Sequence, residues 1–157
     1  MSIAGIGRRA FIAGTFALAL ATTARAVEFE TERLAVPTER GAVELTVEIA
    51  DTPERRARGY MERTSIGPDE GMLFVYDSPR EILMWMANTP TAIDMVFLDA
   101  NGTVVSIASD TTPFSRAVIS SGAPARFVLE VVAGSASRWG LAEGDVLESD
   151  RFGRPPS

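Results

Sequence analysis

Short apolar runs separated by turn-forming residues fill the chain from Gly71 onward, and they constrain its fold more than any other feature. Turn formers such as Asp77-Ser78-Pro79 and Asn88-Thr89-Pro90 stand between the runs. Because no segments with the spacing of βαβ units lie between them, the pattern argues against a parallel, doubly wound sheet and favours a sandwich or small barrel. The runs of strand length are 72–76, 81–86, 93–98, 103–108 and 125–132, with a last one starting at Gly144.

The clearest periodicity lies in residues 41–50, where apolar and mostly polar side chains alternate and predict a strand with one buried face. Residues 27–36 alternate less cleanly and end at Pro37, which predicts an outer strand. Asn101-Gly102 lies between two of the apolar runs, and this dipeptide is a strong signal for a hairpin turn.

Two short helices are also predicted. Thr52-Pro53 supplies an N-cap and a first helical proline, and the helix that follows ends at Gly59. Residues 134–141 allow one helical turn, with Ser135 as its cap and Gly140 as its terminator. Together the patterns predict a mainly β (β-rich α+β) fold, a small two-sheet sandwich or barrel-like structure of about eight or nine short strands.

The first 26 residues have the composition of a removable signal peptide. Arg8 and Arg9 form a positive n-region, residues 10–21 an apolar h-region, and Ala24-Arg25-Ala26 a cleavage site of the A-x-A kind. The apolar run is too short to span a bilayer comfortably, since that takes about 20 apolar residues. The order Arg8-Arg9-Ala10-Phe11-Ile12 matches the twin-arginine export signature, and the general secretory route is the alternative.

These boundaries predict a simple organisation. Residues 1–26 are the signal peptide, residues 27–150 a single β-rich domain, and residues 151–157 a flexible tail. We therefore expect the mature protein to be periplasmic or secreted.

Charge and missing residue types exclude several functions. Removal of residues 1–26 takes away three arginines and no acid, which changes the net charge from −6 to −9. Such a surface repels nucleic acid and anionic membranes, so we expect neither as a partner. We also expect no membrane insertion after signal removal, and a monomeric protein. The chain contains no Lys, His or Cys, which excludes Ser-His-Asp triads, Schiff-base lysines, thiolate nucleophiles and imidazole metal sites.

Methionine is the remaining candidate metal ligand, because thioethers bind Cu(I). Such sites commonly add His or Cys, so adaptable core packing is the favoured interpretation, and we expect no metal and no cofactor. The methionines concerned are Met61, Met72, Met84, Met86 and Met95.

Two carboxylates occupy apolar rows of predicted strands. Alternation places Asp94 on the same face as Val96 and Leu98, and it flanks Glu130 with Val128 and Val132. One hypothesis is that the two acids converge as the acid and base of a hydrolase. The other, which we favour, is that each is an internal polar tie held by an arginine such as Arg63 or Arg126, or by backbone N–H groups.

Trp85 and Asn88 stand where an apolar strand runs into a polar turn. An aromatic platform with an amide at its rim suits a sugar or another small neutral ligand. Core packing of the tryptophan and local turn bonding of the asparagine are the alternatives.

The segment from Ile49 to Asp145 contains a specific set of motifs: Ala50-Asp51-Thr52, Gly59-Tyr60-Met61, Arg63, Gly71-Met72-Leu73-Phe74, Trp85-Met86-Ala87-Asn88-Thr89, Asp94, Val128-Leu129-Glu130, Gly134 and Gly144-Asp145. In these residues the segment resembles the domain-of-unknown-function 192 family. It departs from the family pattern at Tyr60, where Leu is usual, at Ala87, where Lys is usual, and at Thr91-Ala92, where a proline is common. The resemblance implies a compact β-rich fold and frequent export, but no agreed activity.

These observations favour a non-catalytic binding or accessory domain for a small neutral or carbohydrate-like ligand or an envelope component. A hydrolase acting on envelope polysaccharide, with Asp94 and Glu130 as acid and base, is the alternative. The expected ligand-binding residues are Trp85, Asn88, Asp94, Met72 and Arg63.

Overall fold

The computed structural model of the protein describes residues 26–153. Apart from Ala26, the predicted signal peptide lies outside this part of the chain, as do residues 154–157 of the predicted tail. Neither helix of the described part is long and apolar enough to cross a membrane. The helices and strands of the described chain are β1 Glu30–Thr38, β2 Gly41–Ala50, α1 Pro53–Arg58, β3 Glu70–Met84, β4 Ile93–Leu98, β5 Val104–Ala108, β6 Ile119–Val132 and α2 Ser135–Trp139.

The six strands of the described chain form one sheet in the order β1-β2-β3-β6-β4-β5. Strands β2 and β3 are parallel, because α1 and the loop after it carry the chain back along the sheet, and the other neighbours are antiparallel. The mainly β fold with two short helices is confirmed. The single open sheet differs from the predicted two-sheet sandwich or barrel, and it has fewer strands than the eight or nine expected.

Part of the difference in strand number comes from β3. Residues 72–76 and 81–86 were expected to form separate strands, but most of both runs lies within β3, and both halves pair with β6. Between Val75 and Arg80 the register shifts, so that Asp77-Ser78-Pro79 forms an irregularity within the strand instead of a turn between two strands.

The C-terminal segment accounts for another of the missing strands. Instead of a ladder it forms isolated bridges, from Val146 to Thr103 and from Glu148 to Ala35. Ala35 belongs to β1 and Thr103 directly precedes β5, the two edge strands. The segment therefore occupies hydrogen-bonding groups at both edges of the sheet, which limits edge-to-edge association.

The local signals at turns and caps agree with the structure at most positions. The Thr52 hydroxyl accepts a hydrogen bond from the Arg55 amide at 3.2 Å and caps α1. The Asp99 carboxylate accepts from the amides of Asn101 and Thr103 at 2.7 and 2.9 Å, which fixes the predicted hairpin. The predicted outer strand, β1, is an edge strand. At α2 the cap residue is Gly134 and not Ser135.

Two apolar clusters form, one on each face of the sheet. The first face includes Leu73, Val96 and Leu129, and Ala136 of α2 packs there. The second face includes Met72, Met95 and Val128, and Tyr60 from the turn after α1 packs there. Strand β4 is buried on both faces, which explains its nearly continuous apolar sequence.

Candidate functional site

A cavity of about 300 Å³ opens on the second face, between α1 with its following turn and strands β3 and β6. Its buried lining includes Glu130, Phe74 and Tyr60, whereas Arg80 and Trp85 are exposed at its mouth. We call it the Glu130 cavity. The full lining is Arg56, Ala57, Arg58, Gly59, Tyr60, Met61, Phe74, Tyr76, Arg80, Leu83, Met84, Trp85, Thr89 and Glu130.

Gly59 makes the wall of the cavity possible. It ends α1 with φ 45° and ψ −141°, a conformation that is accessible almost only to glycine. A Cβ atom at this position would also lie 3.1 Å from Cζ of Phe74. The glycine thus lets the chain turn closely over the sheet, and Tyr60 follows directly onto the second face.

Glu130 is the unusual group in this cavity. It lies in β6 between Met72 of β3 and Met95 of β4, its partners in the sheet register, and it is only 4% exposed. Within the described chain its carboxyl group makes no ion pair or hydrogen bond to another side chain. Burial raises its pKa to about 8, because the charged form is poorly solvated there. At neutral pH it is therefore mostly a protonated acid, which can donate one hydrogen bond and accept others.

Two tyrosines adjoin this acid. Burial raises the pKa of Tyr60, with further contributions from the charges of Glu130 and Glu48. Burial also raises the pKa of Tyr76, whose hydroxyl donates to Sδ of Met84 at 3.6 Å. Both phenols stay uncharged at physiological pH, so the interior of the cavity offers aromatic surface and neutral polar groups.

The mouth of the cavity carries positive charge. Cζ of Arg56 lies 5.2 Å and Cζ of Arg80 4.7 Å from the ring centre of Tyr76. Nη1 of Arg56 donates to the carbonyl oxygens of Asp51 and Val75 at 2.7 and 2.8 Å, which holds this side chain in place.

The sequence-predicted ligand residues are only partly brought together. Trp85 lines the mouth and is 52% exposed. Met72 is buried next to Glu130 without lining the cavity. Arg63 lies over the ring of Tyr60 and pairs with Glu48 at 2.6 Å, so it supports the wall from outside. Asn88 is exposed in the turn after β3, where its backbone carbonyl oxygen accepts a hydrogen bond from the Glu62 backbone amide at 2.8 Å.

Asp94 does not belong to this site. Its register partner in β6 is Val131 and not Glu130, so the two carboxylates point to opposite faces of the sheet. The structure therefore does not bring Asp94 and Glu130 together as an acid and base pair.

Asp94 instead forms the internal tie that the sequence analysis favoured. It is completely buried, and its oxygens accept hydrogen bonds from the amides of Asp110, Gly134 and Ala136 at 2.8, 3.1 and 2.9 Å. The last of these bonds satisfies an amide in the first turn of α2, which has no side-chain cap of its own. The ties are backbone N–H groups and not the arginines named as candidates.

Sequence reasoning missed most of the cavity lining. Phe74 and Tyr76 alternate with Leu73 and Val75 in β3, a signal that they share a face. That this face also carries Glu130 depends on the pairing of β3 with β6, which brings together residues more than fifty positions apart.

Within residues 26–153 no group of three or more acidic, His or Cys side chains is arranged to hold a metal ion. The side chains that line the cavity supply a neutral acid, two phenols, guanidinium groups and aromatic surface.

Two solved structures are similar to this chain in both sequence and fold. A structure from Sinorhizobium meliloti 1021, provisionally described as a transcription regulator, is 40% identical with a TM-score of 0.75, over 79% of this chain and 97% of that one. A protein of unknown function from Novosphingobium aromaticivorans DSM 12444 is 30% identical with a TM-score of 0.74, over 87% of this chain and all of that one. The curated proteins gave no significant match.

The family comparison covers the same sheet and cavity. The sequence model of the family described as Uncharacterized ACR matches residues 35–149, which include every strand except the start of β1 and every residue that lines the Glu130 cavity. The chain therefore belongs to the domain-of-unknown-function 192 family.

Proposed function

We propose that the protein is an exported, non-catalytic binding domain that holds a small neutral or carbohydrate-like ligand in the Glu130 cavity. The observation that carries this proposal is the buried carboxyl group of Glu130, which lines the cavity without a side-chain partner in the described chain. A buried polar group of this kind is costly unless it is hydrogen-bonded, and a ligand with a hydroxyl or carbonyl group would supply the bond.

The rest of the lining fits such a ligand. Trp85, which is half-exposed, offers aromatic surface on which the apolar face of a sugar ring could pack, and Tyr60 and Tyr76 line the interior. A volume of about 300 Å³ lies at the lower end of small-molecule sites, which span roughly 300–1,000 Å³. The size favours one ring unit over a polymer chain.

Export is the second part of the proposal and depends on the signal-like residues 1–26. It would place the binding domain among envelope components. The net charge of −9 after signal removal is consistent with a ligand other than nucleic acid.

The polysaccharide hydrolase is the less favoured candidate. Its acid and base were to be Asp94 and Glu130, and these lie on opposite faces of the sheet. Glycoside cleavage by a carboxylate pair requires the two groups to flank one bond, about 5–9.5 Å apart in the same cleft.

Thermal-shift screening of the protein against sugars and envelope fragments at pH 7 tests the proposal. A ligand that binds only the folded state raises the midpoint, by several degrees at a large excess over its Kd. Ala57 is exposed at the mouth, so Ala57→Trp should obstruct entry and abolish the shift. Ala142→Trp, at an exposed position outside the lining, should leave it unchanged. A shift that survives Ala57→Trp would place the ligand elsewhere and contradict the proposal.

A further inference from the structure

Arg56 and Arg80 are the feature of the cavity that a purely neutral ligand does not explain. Both guanidinium groups lie over the ring of Tyr76, and both side chains line the cavity. An arginine that packs against an aromatic ring keeps its N–H donors at the edge of the guanidinium plane, where they match a carboxylate.

Neither arginine has a carboxylate within 4 Å among the described residues. Asp77 lies beside both in a small adjoining pocket, yet it forms no ion pair with either at this distance. Other arginines of the same chain do have acidic partners: Arg55, Arg58, Arg63 and Arg151. Among the described residues Arg56 and Arg80 therefore lack a carboxylate partner, and the N–H donors that Arg56 does not use for the carbonyl groups of Asp51 and Val75, together with those of Arg80, are available to an external anion.

We propose that the ligand carries a carboxylate, which Arg80 and Arg56 bind at the mouth, while its neutral hydroxylated body lies against the aromatic lining and Glu130. This inference rests on the proposed function and narrows its ligand class to a sugar acid of about one ring.

The two ends of the cavity have different chemistry, and this gives the ligand an orientation. The interior, with Glu130 uncharged at neutral pH and the two phenols, accepts hydroxyl groups but disfavours a charge, because burial penalises it. Arg80 is exposed, so binding an anion there does not require the anion to be fully desolvated. The carboxylate should therefore stay at the mouth.

Calorimetric titration of the full chain at pH 7 with three matched probes tests the inference. D-glucuronate carries the carboxylate, D-glucuronamide replaces it with a neutral amide of the same shape, and D-glucose lacks it. We expect D-glucuronate to bind about tenfold or more tightly than either neutral sugar, as one charge-assisted contact requires. Added salt should weaken only the binding of the anion.

Arg80→Gln supplies the matched variant, because Arg80 is exposed and its loss should not prevent folding. This variant should bind D-glucuronate about tenfold more weakly than the unaltered protein does. Its affinity for both neutral sugars should stay within twofold of that of the unaltered protein. Arg40 is an exposed arginine in the β1–β2 turn and has no ion pair among the described residues. Arg40→Gln should therefore change the affinity for none of the three probes.

The outcomes separate the two proposals. Equal affinity for D-glucuronate and D-glucuronamide, or an equal loss for all probes in Arg80→Gln, would overturn the carboxylate inference and leave the proposed function standing. No binding of any of the three sugars, together with no thermal shift that depends on Ala57, would overturn both.

Discussion

Glu130 and Asp94 show how the same residue type acquires different roles from its position. Both are acids within apolar rows of neighbouring strands. Asp94 is satisfied by three backbone amides, so it can stay buried as part of the structure. Glu130 has no such donors in the described chain, and burial raises its pKa.

The raised pKa of Glu130 makes stability depend on pH. An acid whose pKa is higher in the folded than in the unfolded state stabilises the fold fully below about pH 4.5, and this contribution is lost as pH rises to about 8. The loss amounts to a few kcal/mol by linkage, at about 1.4 kcal/mol per pKa unit. The groups that line the cavity with Glu130 are the phenols of Tyr60 and Tyr76, which stay neutral in this range, and the guanidinium groups of Arg56 and Arg80.

Glu130→Gln should remove this dependence, because the amide has nearly the same shape and does not titrate. The free energy of unfolding of both proteins can be measured by urea denaturation. The variant should gain stability relative to the unaltered protein as pH rises from 5 to 9. Glu44→Gln, at an exposed position of β2, is the control and should follow the unaltered protein. Parallel curves for Glu130→Gln and the unaltered protein would show that the carboxyl group is not protonated in the fold.

At the scale of elements, the cavity depends on how α1 joins the sheet. The helix has only six residues and no buried side chain, so its own stability is small. Its position is set by the Thr52 cap, by the hydrogen bonds from Arg56 to Asp51 and Val75, and by the turn at Gly59. This element is therefore the part of the site most sensitive to backbone changes.

Gly59→Ala should destabilise the fold by about 2 kcal/mol or more, since it adds backbone strain and a close contact with Phe74. Ligand-induced thermal shifts should become smaller as well, because Tyr60, the next residue, lines the cavity and would be displaced. Gly140→Ala is the matched control: Gly140 also ends a helix with positive φ, at 69°, but its added Cβ meets nothing within 4 Å. It should cost about 1 kcal/mol and leave binding unchanged. Equal effects of both variants would mean that the contact with Phe74 does not shape the cavity.

The positions of the predicted strands were confirmed more often than their division and arrangement in the sheet. The runs 93–98 and 41–50 coincide with β4 and β2, because a continuous apolar run, hydrophobic alternation and turn residues are all local signals. The break expected at Asp77-Ser78-Pro79 did not divide β3, because pairing with β6 on both sides outweighs the local turn preference.

At the scale of the whole molecule, the sheet is a single layer with an apolar cluster on each face. The C-terminal segment bridges to Ala35 in β1 and to Thr103 next to β5. It therefore covers part of both sheet edges, although the sheet is not closed into a barrel. One face is filled with apolar side chains and α2, and the other leaves the Glu130 cavity.

The proposed export concerns the chain as a whole and has its own test. In a bacterial host we expect the protein to be recovered from the periplasm with Val27 as its first residue, by fractionation and intact mass. Replacing Arg8 and Arg9 together with Lys should block a twin-arginine route, because that route reads the arginines and not only their charge. Arg25→Lys should still be exported. A stable cytoplasmic protein that retains Met1 would contradict the proposal.

What the sequence alone determined was local: the β-rich class, the cap of α1, the hairpin at Asn101-Gly102 and the presence of buried acids in apolar rows. These follow from side-chain alternation and turn chemistry, which involve residues close in the chain. Only the tertiary structure decided that Asp94 and Glu130 lie on opposite faces, and that Tyr60, Tyr76, Arg56 and Arg80 line the same cavity as Glu130. Strand order and register set these relations, and a shift of one residue would exchange the faces of every side chain in a strand.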